Sequence, residues 1–85
     1  MDGPKTIPEW EAYIEGLDRT DLWSQCRAAN SFPFTRKLQA EGMTMGQIEV
    51  VLTLFARRMI ELEVKLPEGG AFDLHHLVEK DPLSF

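Results

Sequence analysis

The sequence predicts an all-α protein, a small bundle of four to five helices forming one domain over residues 1–85. Apolar residues recur at three- and four-residue spacing along most of the chain, which is typical of amphipathic helices. Capping residues precede these segments, and Gly or Pro follows them. No segment shows the alternation of apolar and polar residues that is typical of a strand. We therefore expect short helices packed around one long central helix, at about residues 44–66.

The first helix is predicted from its start signal. Thr6 and Glu9 are spaced as a capping box, and Pro8 is compatible with a first turn. Gly16 lies where this helix should end. Its core-facing residues are expected to be Trp10, Tyr13, Ile14 and Leu17.

The second and third helices are also short. Asp18 or Thr20 can cap the second, which should end near Asn30. Its core-facing residues are expected to be Leu22, Trp23, Cys26 and Ala29. Pro33 favours an extended residue before it, so the third helix is expected to restart there and to end before a left-handed Gly42.

The long helix is the strongest element of the sequence. Thr44 and Gln47 form a second capping box, and no Pro follows until Pro67. The predicted helix has about 22 residues and a length of about 33 Å. A heptad seam runs along it through Met45, Ile48, Leu52, Phe55, Met59, Leu62 and Leu66.

A second apolar stripe lies off this seam, partly on the opposite face, and contains Val50, Val51, Leu54, Ile60 and Val64. A helix with two apolar sides must be covered on both. Either it runs through the centre of the monomer, or one stripe meets another chain.

A last short helix is expected after the loop Glu68-Gly69-Gly70. Asp73 can cap it, and the pair Asp81-Pro82 should end it. Leu74, Leu77 and Val78 are expected to face the core.

Charge and composition narrow the range of partners. The net charge is −5, so nucleic acid is disfavoured unless the basic residues are gathered in one place. The longest strongly apolar stretch, from Val50 to Phe55, is too short to span a membrane, and the acidic N-terminus does not resemble a signal peptide. We expect a cytoplasmic protein without a membrane partner.

The residues that could carry chemistry do not form a recognisable site. His75 and His76 are adjacent, so on a helix their side chains would point about 100° apart. In that arrangement they cannot both bind one metal ion. Cys26 is the only cysteine, and its spacing places it in the core. We expect no metal, no cofactor and no enzyme activity.

One segment, residues 34–58, resembles a helix-turn-helix unit. It contains a short helix, a turn at Gly42 and a capped second helix with Ile48 and Val51 facing inward. The resemblance implies a DNA-binding transcriptional regulator. The residues it would use are Arg36, Lys37, Thr44, Gln47, Arg57 and Arg58.

The function we favour is a small acidic protein-binding module: an adaptor, regulator or inhibitor that acts as a homodimer or on a larger protein. An apolar face of the long helix would bind the partner, and charge would orient it. Small acidic helical proteins of this kind also occur among phage and mobile-element products. The residues predicted to bind the partner are Val50, Leu54, Arg57, Arg58, Glu61 and Trp23.

Overall fold

The computed structural model describes residues 3–80, without the side chains of residues 79 and 80, and confirms the all-α prediction. Five helices follow one another, and the described residues contain no strand. The helices are α1 (Ile7–Glu15), α2 (Arg19–Ala29), α3 (Phe32–Ala40), α4 (Met45–Glu61) and α5 (Leu74–Lys80). No helix in this part of the chain has the length and hydropathy needed to cross a bilayer.

The central position of α4 is confirmed. Helices α1, α2 and α5 pack against it, and α3 contacts it more lightly. Phe55 is almost completely buried in this core, where its ring lies 6.0 Å from the ring of Trp10. Around α4 the core contains Trp10, Ile14, Leu22, Cys26, Ala29, Leu38, Met43, Leu74 and Leu77.

The predicted caps at the starts of α1 and α2 are confirmed. The hydroxyl of Thr6 accepts the backbone N–H of Glu9 at 3.3 Å, and Glu9 in return accepts the backbone N–H of Thr6 at 3.0 Å. Hydrogen bonds to the Glu9 carboxylate from the backbone N–H groups of Lys5 and Thr6, and from the hydroxyl of Thr6, lower the pKa of Glu9. Asp18, one of the two proposed caps, accepts the N–H of Asp21 at 2.8 Å.

Helix α3 begins one residue earlier than predicted. Phe32, expected to be the extended residue before Pro33, belongs to the first turn of the helix, and Ser31 is extended instead. The predicted end is confirmed: Gly42 has a left-handed backbone with φ of 100°. The N–H of Met43 donates to the carbonyl of Leu38 at 3.0 Å, which completes a Schellman motif.

Helix α4 is shorter than predicted, because it ends at Glu61 rather than Leu66. Glu63 adopts the left-handed conformation with φ of 57°. The N–H of Val64 donates to the carbonyl of Met59 at 2.8 Å, so this end is also a Schellman motif. The prediction missed it because the left-handed residue is not Gly, and the helix propensity of the sequence continues past it.

The two apolar stripes of α4 are covered unequally. The seam prediction is wrong for Met45, which is 41% exposed at the start of the helix, and correct for the buried residues Ile48, Leu52, Phe55 and Met59. In the second stripe Val51 is fully buried and Leu54 is only 9% exposed, Ile60 and Val64 are half-buried, and Val50 is 41% exposed. The helix is therefore mainly a core helix.

Two aromatic side chains that were expected to face the core lie at the surface instead. Trp23 is 36% exposed, and the guanidinium of Arg27 lies 5.4 Å from the centre of its ring. Tyr13 is exposed to a similar degree and packs edge-on against Trp10 at 5.7 Å. In both short helices the residues three or four positions away occupy the core, so these side chains lie at the edges of the apolar stripes.

Asn30 fixes the loop that leads to α5. Its side chain donates to the carbonyl of Gly69 and accepts the N–H of Phe72 at 2.7 Å. Gly70 has φ of 92°, and a Cβ there would clash with the carbonyl oxygen of Asn30. The loop therefore needs Gly at this position.

The predicted cap and the core-facing leucines of α5 are confirmed. Asp73 accepts the N–H groups of His75 and His76 at 3.0 and 3.3 Å, as a cap does. Leu74 and Leu77 are buried against the core. The predicted stop at Asp81-Pro82 lies outside the described residues.

Candidate functional site

A groove of about 260 Å³ lies between α1 and α4. Most of the residues that line it are charged, and two apolar residues are buried among them. The lining residues are Glu11, Ile14, Glu15, Leu54, Arg57, Arg58 and Glu61. We call this surface the α1–α4 groove. It contains four of the six residues that the sequence predicted to bind a partner.

Helical spacing explains why these side chains meet. On α1, Glu11 and Glu15 are four residues apart and so lie one turn above the other. On α4, Arg57, Arg58 and Glu61 follow Leu54 at three, four and seven residues, which places them on one side of the helix. One wall is therefore acidic, and the other holds both arginines.

The bottom of the groove is apolar but covered. Ile14 is 2% exposed and Leu54 is 9% exposed. The charged side chains consequently supply most of the surface that a partner could touch. This differs from the predicted mechanism, in which an apolar stripe of the long helix would enter a groove of the partner.

Glu61 partly neutralises the basic wall. Its carboxylate accepts a hydrogen bond from Nη1 of Arg58 at 3.3 Å and lies 3.7 Å from Nε of Arg57. Both pairs are at least partly solvated, so each contributes little to stability. The buried Nε of Arg58 has no hydrogen-bond partner among the described residues. Each guanidinium carries five N–H groups, so the arginines keep other donors that Glu61 does not use.

The acidic wall has no such neutralisation. Among the described residues, no Lys, Arg or His nitrogen lies within 4.0 Å of the carboxylates of Glu11 and Glu15. The two walls line the same groove but do not pair across it. An occupant with a cation toward α1 and an acceptor toward α4 would match both.

The other two predicted partner-binding residues lie outside the lining. Val50 is exposed on α4, one turn before Leu54, so it extends the same stripe beyond the groove. Trp23 lies on α2, where it stacks with Arg27 rather than contributing to the groove.

The residues predicted for DNA binding lie in three places: on α3, at the start of α4 and near the end of α4. Arg36 and Lys37 are exposed on α3. Thr44 and Gln47 bond to each other in the capping box, with the hydroxyl of Thr44 accepting the N–H of Gln47 at 3.2 Å. The remaining two, Arg57 and Arg58, lie ten or more residues further along α4, at an axial distance of about 15 Å, and pair with Glu61.

A second cavity, of about 230 Å³, lies on the other side of α1, and three aromatic residues are among those that line it. The ring of Trp10 packs edge-on against Phe34 and Tyr13, at centroid separations of 5.6 and 5.7 Å. Gly3 and Pro4 contribute to the same lining, so the chain itself covers part of this cavity. Trp10 belongs to the core, Phe34 packs half-buried against it, and Tyr13 lies at its exposed edge.

The side chains considered for chemistry lie apart. Cys26 is buried, and burial raises the pKa of its thiol to about 12, which leaves almost no thiolate at neutral pH. His75 and His76 are exposed on α5. Within residues 3–80 no three His, Cys, Asp or Glu side chains are arranged to hold a metal ion.

The sequence analysis did not predict the α1 wall of the groove, because neither Glu11 nor Glu15 is among the residues predicted to bind a partner. Their spacing of four residues, beside the core residue Ile14, places them at the border between the packed and open sides of α1. That α4 would bring two arginines to the same border follows only from how the helices pack.

Comparison with known proteins assigns no role to this groove. No protein-family model matches the chain, and neither curated proteins nor solved structures gave a match.

Proposed function

We propose that this chain is a small, non-enzymatic protein-binding module whose partner docks on the α1–α4 groove. The observation that carries the proposal is the arrangement of the walls: an arginine pair on α4, and on α1 two carboxylates that form no ion pair within the described part of the chain. Such a surface favours a partner with opposite charges in the matching order, and it disfavours one with like charges.

The chemistry of the groove indicates what binding would achieve. Because Ile14 and Leu54 are mostly covered, charge would set orientation and association rate more than affinity. Val50 supplies the adjoining apolar contact on α4. The module would act by occupying a surface of the partner, as an adaptor, regulator or inhibitor does.

The test uses three versions of the chain as bait. They are the wild type, the groove variant Glu11→Arg with Glu15→Arg, and the control variant Glu41→Arg with Glu68→Arg, which has the same net charge but alters exposed residues outside the groove. Any captured protein is purified and titrated against all three by calorimetry. We expect stoichiometric binding to the wild type and the control, and a loss of at least about tenfold in affinity for the groove variant. Equal binding by all three would contradict the proposal.

DNA binding is the alternative function. The order α3, left-handed Gly42 and capped α4 supports it, because this is the order of a helix-turn-helix unit. Titration with duplex DNA over a range of salt concentrations separates the two. A DNA-binding protein would show an affinity that falls steeply with salt and depends on Arg36 and Lys37, whereas the protein-binding proposal expects no complex at physiological salt.

A further inference from the structure

We infer that the occupant of the α1–α4 groove is a second copy of this chain, related by a twofold axis. The inference rests on the proposed function and names its partner. Under a twofold operation, each surface patch meets the same patch on the other copy. An isologous contact at this groove can therefore place the α1 wall of each copy against the α4 wall of the other.

Charge complementarity supports this occupant. Glu11 and Glu15 of one copy would face Arg57 and Arg58 of its partner, and the symmetry makes the same contact twice. The carboxylates would gain counter-ions, which none of the residues that the structure describes supplies to them. The arginines would gain acceptors beyond Glu61, whose two ion pairs are long and partly solvated. The groove thus contains both halves of the interaction.

The net charge of −5 does not oppose such a contact strongly. At physiological salt the Debye length is about 8 Å. The attraction between charges in contact across the interface is therefore screened less than the repulsion between the distant acidic residues of the two copies. Raising the salt concentration should weaken the dimer, because its specificity comes from partly exposed ion pairs.

The size of the chain limits the strength of the dimer. A standard interface buries about 800 Å² per chain, which is about 15% of the 5418 Å² surface here. The groove alone cannot supply that area, so the contact must extend along the exposed edge of α4 to Val50. With little apolar surface at its centre, the dimer should be weaker than an obligate one and should dissociate on dilution.

The experiment uses two charge-reversed chains. The first, Glu11→Arg with Glu15→Arg, has two basic walls; the second, Arg57→Glu with Arg58→Glu, has two acidic walls. Neither should form a homodimer, because both contacts would be repulsive. Mixed together, they should form a 1:1 heterodimer in which both contacts are attractive, at least about tenfold tighter than either homodimer. Native mass spectrometry and analytical ultracentrifugation report the species, and circular dichroism verifies folding.

The control is the variant Glu41→Arg with Glu68→Arg. It has the same net charge as the first chain, so a heterodimer that it forms equally well with the second chain would show general attraction and overturn the inference.

A wild type that stays monomeric at millimolar concentration would also overturn the inference. If one charge-reversed chain does not fold, Glu11→Gln with Glu15→Gln replaces that chain, and an unweakened homodimer would count against the inference. A monomeric wild type that still binds another protein through the groove would leave the proposed function intact.

Discussion

The two sides of α4 carry similar apolar residues in the sequence but have different surroundings in the fold. On the sealed side, Ile48, Leu52 and Phe55 are almost completely buried under neighbouring helices. On the groove side, Leu54 is only just covered, and Arg57 and Glu61 remain exposed beside it. The two sides differ because α1 meets them with different residues. It packs Trp10 into the core, and it lines the groove with the glutamates Glu11 and Glu15.

This difference shows that an apolar stripe by itself does not identify a binding surface. Of the second apolar stripe, which could have been a core face or an interface, Val51 and Leu54 are buried within the chain and only Val50 is exposed. The surface that remains open is defined by the charges along its border. Changes on the sealed side should therefore alter stability, whereas changes on the groove side should alter association.

The largest effect is expected at the centre of the sealed side. Phe55→Ala should lower the free energy of unfolding by about 3–5 kcal/mol, because it removes a buried ring that packs on Trp10. Val50→Ala, at an exposed position on the same helix, is the control and should change stability by less than about 1 kcal/mol. Urea unfolding measures both. Similar losses in the two variants would remove the distinction between the sides.

The next effect concerns the loop that brings α5 onto the sealed side. Asn30→Ala should cost about 2 kcal/mol, since it leaves the carbonyl of Gly69 and the N–H of Phe72 without their partner. Amide exchange should quicken in α5 more than in α1. Uniform exchange changes across the chain would show that the loop does not specifically fix α5.

Cys26 makes the sealed side sensitive to alkaline pH. The pKa of its thiol is raised from 9.0 to about 12 on folding, so above pH 9 the unfolded chain loses this proton while the folded chain keeps it. The free energy of unfolding should fall by up to about 1.4 kcal/mol per pH unit across that interval. Comparing urea unfolding of the wild type and Cys26→Ala at several pH values isolates this contribution. Parallel pH profiles would mean that the thiol is not protected by burial.

A smaller effect is expected where α4 ends. Glu63 holds a left-handed backbone, which costs a residue with a side chain about 1 kcal/mol relative to Gly. Glu63→Gly should therefore raise the midpoint of thermal unfolding, and Gly42→Ala, at the equivalent position after α3, should lower it. A destabilised Glu63→Gly would show that the glutamate side chain contributes more than its backbone strain costs.

The smallest stability effect is expected in the α1–α4 groove itself. Arg57→Glu should change the free energy of unfolding by less than about 0.5 kcal/mol, because the ion pair that it breaks is long and solvated. The same variant should weaken self-association. Thermal unfolding and ultracentrifugation of one sample compare the two. A large loss of stability with unchanged association would reverse the assignment of the groove.

Local signals in the sequence predicted most of the helices. The two capping boxes, at Thr6 and Thr44, and the left-handed Gly42 are interactions between residues close in sequence, and each is present in the structure. The end of α4 could not be predicted in this way. Glu63 gives no turn signal, and the chain turns there because Val64 can close the motif and pack on the core.

The groove was only half predictable for a related reason. Arg57, Arg58 and Glu61 stand out because they border an apolar stripe on one helix. The carboxylates of Glu11 and Glu15 gain significance only when α1 packs beside that stripe. The same holds for Asn30, whose hydrogen-bond partners at Gly69 and Phe72 are about forty residues away.

The most direct test of the account is a concentration series of amide NMR spectra of the wild type, from micromolar to millimolar. Self-association through the groove predicts that signals from Glu11, Glu15 and the α4 residues Val50, Arg57 and Glu61 shift together as the concentration rises, while those of Trp23 and the α5 residues do not. Spectra that stay unchanged over the whole range, or shifts confined to α2 or α5, would contradict it.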